Sequence, residues 1–206
     1  MDDLSKEYII SFYNKKLQLF GDKPESLGWS PNGQILRFRS LLDINNNIAG
    51  SKVLDFGCGK GDFYGYLRDK GIDVSYTGFD INEKFISIAA SRYPECSFRT
   101  FDINSDDLNE EFDFIFLCGV FNLKVQKLDD MIKTALITLF KHCRIAMAFN
   151  ALSAYTAKKA FELNYLYPEE MFNFALKELS PFVSIRHDRV LYDFTMFMYK
   201  EINMPE

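Results

Sequence analysis

The sequence predicts an α/β fold in which a mostly parallel sheet is covered by helices on both faces. Short apolar runs alternate with amphipathic segments through the middle of the 206-residue chain, which is typical of strands joined by crossover helices. A glycine-rich turn at 57–61 directly follows the first apolar run. The last two predicted strands are separated by only a few residues, too few for a parallel crossover, so the last strand should run antiparallel to its predecessor.

Two helical segments precede the predicted sheet. Apolar residues recur at helical spacing over 4–20, with Ile9, Tyr13 and Phe20 beside a row formed by Leu4, Tyr8, Phe12 and Leu19. A loop of turn-forming residues at 21–33 contains the single tryptophan, Trp29, which is either a lid over a substrate or a core side chain. A second amphipathic helix is predicted over 33–44.

The sheet and its covering helices follow in alternation. Apolar runs predict strands at 52–56, 74–79, 97–101, 113–118, 144–149, 182–187 and 193–200. Amphipathic patterns predict helices at 62–70, 83–92, 127–141 and 168–179. No linker or repeat divides the chain, so we expect one domain over 1–206, with a helical cap at 1–45 and the core at 46–206.

Composition excludes several classes of protein. The formal net charge is -5 and the sequence pI is about 5.2, which disfavours a nucleic-acid surface because such surfaces need clustered basic residues. No apolar run approaches the ~20 residues needed to span a bilayer, and the acidic start MDDLSKEY lacks the features of a signal peptide. We therefore expect a cytoplasmic protein without a membrane partner. Four widely spaced cysteines and two histidines predict no metal site.

The glycine-rich stretch VLDFGCGKGDF differs from the common phosphate-binding loops. A dinucleotide fingerprint needs G-x-G-x-x-G, but position 62 is aspartate, and Lys60 is not followed by the hydroxyl residue of a P-loop. Asp55 and Asp62 place negative charge on both sides of the turn. This disfavours a pyrophosphate and a nucleotide-dependent oxidoreductase, and it favours a ligand with an ammonium or sulfonium group that approaches the backbone closely.

Two further acids end the next predicted strands. Asp80 and Asp102 should lie at the carboxyl edge of the sheet, where ligands bind in open α/β folds. Asp80 is suited to accept both hydroxyls of a ribose, and Asp102 to accept an exocyclic amine of a base. Ile81 and Ile103 follow the two acids and could enclose a flat ring. Together these residues predict a nucleoside with a cationic amino-acid tail, namely S-adenosylmethionine (AdoMet).

From about Arg37 to Lys200 the chain resembles the class I AdoMet-dependent methyltransferases. That family has D/E-x-G-x-G-x-G after its first strand, an acid ending the second strand and often an aspartate ending the third. The pieces GQILRF, CGVFN, FNALS and RHDRVLYDFTMFMY also resemble generic bacterial members. The resemblance implies a Rossmann-like, doubly wound, seven-stranded sheet, mostly parallel with an antiparallel last strand, and S-adenosylhomocysteine (AdoHcy) as the product.

The resemblance also implies roles in binding the amino-acid half of the donor. Asp55 would lie near the ammonium group, and the methionine portion would be lined by Gly57, Gly59 and Gly61. Arg37 would meet the carboxylate, since related enzymes often have an arginine before the first strand.

Other positions would hold the nucleoside and the methyl group. Asp80 would bind the ribose, although it could instead cap the helix at 83–92. Asp102 and the Ile103 amide would hold adenine, although Asp102 could instead serve a turn. Cys118 and Gly119, which end the fourth strand, would flank the methionine portion and the methyl group.

Catalytic residues are harder to predict because methyl transfer can proceed largely by positioning in a dry site. The candidates are residues that follow strands at the same edge, namely Asn122, Asn150, His187 and Asp188. His187 could act as a base oriented by a carboxylate, or it could be an exposed loop histidine.

The favoured acceptor is a small molecule attacked through oxygen or nitrogen. The fourth strand ends CGVFN, without the N-P-P-Y type motif of enzymes that methylate amino groups of bases or glutamine, and Cys118 lacks the preceding proline of cytosine C5 enzymes. We expect a monomer or homodimer. The alternative is a catalytically silent AdoMet-binding subunit that regulates or scaffolds a partner.

Overall fold

The computed structural model describes residues 2–45 and 47–201. Its seven strands are β1 (Lys52–Phe56), β2 (Ser75–Asp80), β3 (Ser97–Thr100), β4 (Phe112–Cys118), β5 (Cys143–Leu152), β6 (Phe182–Arg186) and β7 (Asp193–Tyr199). The α-helices are α1 (Asp3–Phe20), α2 (Pro31–Leu42), α3 (Asp62–Asp69), α4 (Glu83–Arg92), α5 (Leu128–Lys141) and α6 (Pro168–Glu178). A short 3-10 helix, Pro24–Leu27, lies between α1 and α2.

The strands form one sheet in the order β3-β2-β1-β4-β5-β7-β6. Strands β1 to β5 pair in parallel, whereas β7 runs antiparallel to both β5 and β6. The predicted α/β fold with an antiparallel last strand is therefore confirmed. Strand β5 is longer than the predicted 144–149 because it pairs with β7 as far as Leu152 and Asp193.

Both faces of the sheet are covered by helices. Neighbouring strand residues point to opposite faces, so Leu54 joins the apolar cluster beneath α5 and α6 while Val53 joins the cluster beneath α2 and α3. Aromatic side chains fill much of both clusters, including Phe149 on the first face and Phe116 on the second. Burial on both faces explains why the strands read as continuous apolar runs.

Helix α1 lies across the carboxyl edge of the sheet rather than against a face. Its Tyr13 ring packs edge-on against Phe85 at the start of α4, with centroids 6.1 Å apart. The predicted apolar row does not enter the core, since Leu4 is 79% exposed and Leu19 is 76% exposed. The side of α1 that faces the sheet edge is instead the neighbouring one, which includes Ile9 and Tyr13, and both side chains line the cavity there.

Within the described residues, the structure contains no helix long and apolar enough to cross a membrane.

Candidate functional site

A cavity opens at the carboxyl ends of β1, β2 and β4, where the strand order reverses beside β1. This is the position at which open α/β sheets bind ligands. The strand ends and the loops that follow them form the lower side of the cavity, which we call the floor. The floor residues that line the cavity are Asp55–Gly59, Asp62, Asp80–Asn82, Asp102–Asn104 and Cys118–Phe121. Its roof is α1 together with a covering segment, residues 22–30. The roof residues that line the cavity are Ile9, Ile10, Tyr13, Leu27 and Trp29.

The glycine loop brings backbone rather than side chains to the floor. Gly57 and Gly59 have φ angles of +77° and +54°, in the left-handed region that favours glycine. A Cβ atom on Gly57 would lie 2.6 Å from Val120, and one on Gly59 would lie 3.1 Å from Leu27. Gly61, predicted to line the same space, lies outside the cavity lining, and a Cβ there would meet Tyr93.

Asp55 places a buried, partly unsatisfied carboxylate at the floor. The side chain is 2% exposed, and Oδ2 accepts a hydrogen bond of 2.5 Å from the Tyr76 hydroxyl. Within the described part of the chain, Oδ1 has no partner. Burial raises the pKa of Asp55 to about 7, against the lowering effect of the Tyr76 hydrogen bond. A cationic group at Oδ1 would satisfy this carboxylate.

Asp80 is held by backbone amides at the end of β2. Oδ2 accepts from the Gly59 amide and Oδ1 from the Asn82 amide, both at 2.9 Å. Burial raises its pKa to about 6, although these amides lower it. Asn82 rather than Asp80 caps α4, because Asn82 Oδ1 accepts from the Lys84 amide. The capping alternative for Asp80 is therefore wrong.

Asp102 lines the cavity and also closes a turn. Its Oδ1 accepts from the backbone and side-chain nitrogens of Asn104 at 3.0 and 2.9 Å, which is the turn role considered above. Its Oδ2 lies 2.8 Å from the Lys6 ammonium of α1. Burial raises the pKa of this carboxyl, but the hydrogen bonds from Lys6 and Asn104 outweigh burial and hold the pKa below its usual value.

Arg37 does not occupy its expected place in the cavity lining. Its guanidinium forms two hydrogen bonds to the Asp193 carboxylate, at 2.6 and 2.9 Å, in a buried pair between α2 and β7. It also stacks on Trp29, with Cζ 4.1 Å from the ring centroid. The Asp193 pair and the indole hold Arg37 outside the cavity lining, so contact between Arg37 and the donor carboxylate stays a prediction that this position does not support.

Trp29 lines the cavity as part of its roof and is not a core side chain. The side chain is half-buried and lies against Gly119 at the end of β4. A Cβ atom on Gly119 would collide with the indole ring, and the φ angle of Gly119 is +66°. The close approach of ring and backbone therefore depends on glycine at this position.

The two asparagines at the edge differ in their surroundings. Asn150 is buried and its Oδ1 accepts from the Gly119 amide at 2.7 Å, so it holds the turn after β4. Asn122 is also buried, and its Oδ1 has no partner among residues 2–45 and 47–201. Asn122 is therefore the candidate with a free acceptor atom. Its Nδ2 lies close to Gly119, 2.9 Å from where a Cβ atom would stand.

His187 and Asp188 are exposed and lie outside the cavity lining. Asp188 forms a bidentate pair with Arg186, at 3.0 and 2.8 Å. The structure does not bring His187 and Asp188 to the cavity, because β6 lies three strands away from β4 in the order β4-β5-β7-β6, so their catalytic role stays a prediction without support from this geometry.

Several residues that line the cavity could not be identified as site residues from the sequence pattern. Tyr13, Gln34, Phe85 and Met131 come from four different helices and do not follow strands. Gln34 donates to Asp62 Oδ2 at 3.1 Å, so it connects α2 with the start of α3. Helical periodicity identifies an apolar side on such elements but not what that side will contact.

The chain is similar to proteins described as methyltransferases. The family described as "Methyltransferase domain" matches residues 53–141. The Mycobacterium tuberculosis protein Rv1506c, whose name describes it as a methyltransferase, is 30% identical over 165 residues, which cover 77% of this chain and 99% of that protein.

Solved structures share the fold at low sequence identity. The magnesium protoporphyrin IX methyltransferase ChlM of Synechocystis PCC 6803, with bound SAH, is 13% identical with a TM-score of 0.67, and the match covers 96% of this chain and 99% of that one. The DhpI–SAH complex is 15% identical with a TM-score of 0.70, and the match covers 96% and 97% of the two chains.

Proposed function

Since the chain belongs to the class I S-adenosylmethionine-dependent methyltransferases, we propose that it transfers the methyl group of AdoMet to an oxygen or nitrogen atom of a small organic acceptor. One observation carries the preference for a small acceptor. The roof of the cavity is made by the chain's own α1 and covering segment, through Ile9, Ile10, Tyr13 and Trp29. An enclosed, largely apolar space suits a small molecule better than a nucleic acid, which needs an open basic groove.

The floor fits the amino-acid half of the donor. Asp55 Oδ1, buried and without a partner in the described residues, suits the ammonium group. The cradle at Gly57 and Gly59, which a Cβ atom would fill, allows close approach to the backbone. The donor supplies an electrophilic methyl group, and these residues bind and orient its tail. With Arg37 held by Asp193, the carboxylate has no assigned partner in this proposal.

Acidic and apolar side chains fit the nucleoside half. Asp80 is fixed by two backbone amides and retains acceptor capacity for ribose hydroxyls, since each oxygen has a second lone pair. Asp102 and the Ile103 amide would hold the adenine edge, and Ile81 lines the same space. Lys6 already neutralises Asp102, so the adenine amine would share this carboxylate with α1.

The end of β4 is the proposed place of reaction. Cys118 and Gly119 would flank the methyl group, and the Cys118 thiol is a poor nucleophile because burial raises its pKa to about 12. Asn122 is buried beside this turn and lies outside the cavity lining, so its free Oδ1 would reach an acceptor only after the turn that follows β4 moves. The lining residues at the end of β4, Cys118–Phe121, include no carboxylate or imidazole, so this part of the site favours an acceptor that attacks without prior deprotonation, with acceleration from positioning and exclusion of water.

The test is transfer of a labelled methyl group from AdoMet into a fractionated cell extract. We expect label in the small-molecule fraction, and identification of the labelled product gives the acceptor. The Gly59→Val variant serves as the control for contaminating activity. Label found only in the nucleic-acid or protein fraction would contradict the proposed acceptor class, and AdoHcy binding without any transfer would favour the catalytically silent alternative.

A further inference from the structure

Lys60 is a buried cation that the proposed reaction does not use. It lies inside the glycine loop, yet its side chain is only 1% exposed and lies outside the cavity lining. Lysine is almost never fully buried unless it is paired. Its ammonium donates to Asp22 Oδ1 at 2.8 Å and to the Lys23 carbonyl at 3.1 Å. The glycine loop is therefore tied directly to the beginning of the covering segment.

The covering segment contacts the floor at two points between its ends. The Leu27 side chain lies over Gly59, and the Trp29 ring lies against Gly119. These contacts enclose the part of the cavity assigned above to the methionine half of the donor. Leu27 and Trp29 cover the glycine loop from this side, so displacement of the segment would widen the path by which a donor enters and leaves.

The two ends of the segment are held with different strength. At its far end, Trp29 stacks on Arg37, which is paired with Asp193 away from solvent. At its near end, Asp22 is 54% exposed, so water and salt can compete for its contact with Lys60. Although Arg92 also lies 3.4 Å from Asp22, both contacts of this carboxylate are open to solvent, so the near end is the weaker attachment.

We propose that Lys60 is a positioning residue for the methyl donor. Its ammonium holds the near end of the covering segment closed, so that Leu27 stays over the donor's amino-acid half, and this contact breaks when the donor leaves. The inference rests on the proposed function, since it assumes that AdoMet and AdoHcy occupy the floor. Its consequence is kinetic: Lys60 controls how fast the donor dissociates more than how fast it associates.

The single tryptophan makes this measurable, because Trp29 lines the cavity and its fluorescence should change when a ligand binds there. The experiment follows AdoHcy binding by stopped flow in the wild type, Lys60→Met, Asp22→Asn and the double variant. We expect each single variant to raise the dissociation rate about ten-fold with less than a three-fold change in the association rate. The effects of the two substitutions should not add fully, since the Lys60–Asp22 contact is common to both, although Lys60→Met also removes the donation to the Lys23 carbonyl and Asp22→Asn also removes a 3.4 Å ion pair with Arg92.

A matched control is Lys52→Met, which removes an ion pair to Glu110 at the other end of β1. It should leave both rate constants unchanged. Salt adds a second readout: the dissociation rate should rise more steeply with ionic strength in the wild type than in Lys60→Met, which keeps the Lys6–Asp102 and Arg92–Asp22 pairs. A structural defect alone would not produce this difference.

The inference is overturned if Lys60→Met and Asp22→Asn dissociate from AdoHcy at the wild-type rate, or if the two effects add fully. If Lys60→Met does not fold, Asp22→Asn decides, because its exposed side chain can be changed without disturbing the core. A wild type that does not bind AdoHcy would overturn the proposed function and this inference together. Wild-type binding with unchanged dissociation in the variants would overturn only the inference.

Discussion

The floor and the roof of the cavity are held by different kinds of interaction. The floor is an extension of the sheet: the amides of Gly57 and Cys58 both donate to the Phe79 carbonyl, at 2.7 and 2.9 Å. Asp80 is fixed there by two further amides. Backbone contacts of this kind are made once the strands have paired, so the floor is formed before any ligand arrives.

The roof, in contrast, is attached to the floor through side chains. Lys6 of α1 binds Asp102, and Lys60 binds Asp22 of the covering segment. The Lys6 ammonium is 35% exposed, and an ion pair of that kind contributes about 0–1 kcal/mol, whereas in the second pair Lys60 is buried and only Asp22 is exposed. The difference indicates that the floor decides which donor binds, whereas the roof decides how long it stays. Changes to the floor should therefore have the larger effects on affinity.

The largest effect is expected for Gly59→Val. Gly59 has a φ angle of +54°, which a β-branched residue adopts only with strain, and a side chain would enter the cavity beneath Leu27. We expect AdoHcy binding by calorimetry to be lost while the circular dichroism of the folded protein remains. Gly71→Val is the matched control, because Gly71 has a φ angle of +68° with no atom within 4 Å. Retained binding in Gly59→Val would contradict the placement of the donor on this loop.

Asp80→Ala should have the next largest effect. The substitution leaves the Gly59 and Asn82 amides without their carboxylate and removes the proposed ribose partner. Leaving buried polar groups unpaired costs about 1–3 kcal/mol, so AdoHcy affinity should fall roughly 5- to 150-fold. Asp73→Ala, which changes an exposed aspartate before β2, should leave affinity unchanged. Equal affinities for the two variants would rule out the ribose role.

The pH dependence of binding tests Asp55. Its pKa is about 7 in the unliganded protein, and a cationic ammonium favours the ionised carboxylate, so AdoHcy affinity should rise between pH 5 and pH 7 and level off above. Ionisation of Asp55 raises AdoHcy affinity by up to about ten-fold for each pH unit well below pH 7. The series should end near pH 7.5, because α-amino groups lose their proton at about 7.7–8.0.

The Asp55→Asn variant separates this contribution from that of Asp80, whose pKa of about 6 also affects the wild-type profile. Asparagine keeps an acceptor for the Tyr76 hydroxyl but cannot ionise. We expect affinity to be weaker at pH 7 and the rise in the logarithm of affinity between pH 6 and pH 7 to be smaller by about 0.7. Parallel profiles for the two proteins would show that Asp55 does not bind the ammonium.

The positions of Asp55 and Asp80 were predictable because they depend only on where along a strand each residue lies. The carboxyl ends of parallel strands share one edge, so a residue that ends or follows such a strand is placed near the ligand whatever the rest of the chain does. His187 shows the limit of this argument. It also follows a strand at that edge, but β6 lies at the side of the sheet, and periodicity does not reveal the lateral order of strands.

The roof was not predictable for a different reason. The sequence pattern of α1 predicts an apolar side. The side chains that face inward are those that line the cavity at the sheet edge, and this cavity exists only after the strands have assembled. The pairing of Arg37 with Asp193 was not predictable because the two residues are 156 positions apart in the chain. Contacts between side chains of distant segments leave no local pattern, so the roof depends on tertiary packing alone.

The smallest effect is expected for Lys6→Met, which tests whether α1 matters to affinity at all. The substitution keeps the aliphatic stem but removes the half-exposed ammonium that binds Asp102 Oδ2. Two effects then oppose each other: α1 loses one attachment, while Asp102 gains a free oxygen for the adenine amine. Because a half-exposed ion pair contributes about 0–1 kcal/mol, AdoHcy affinity by calorimetry should change less than about five-fold in either direction. A loss as large as that of Asp80→Ala would place α1 among the determinants of donor affinity and would remove the distinction between floor and roof.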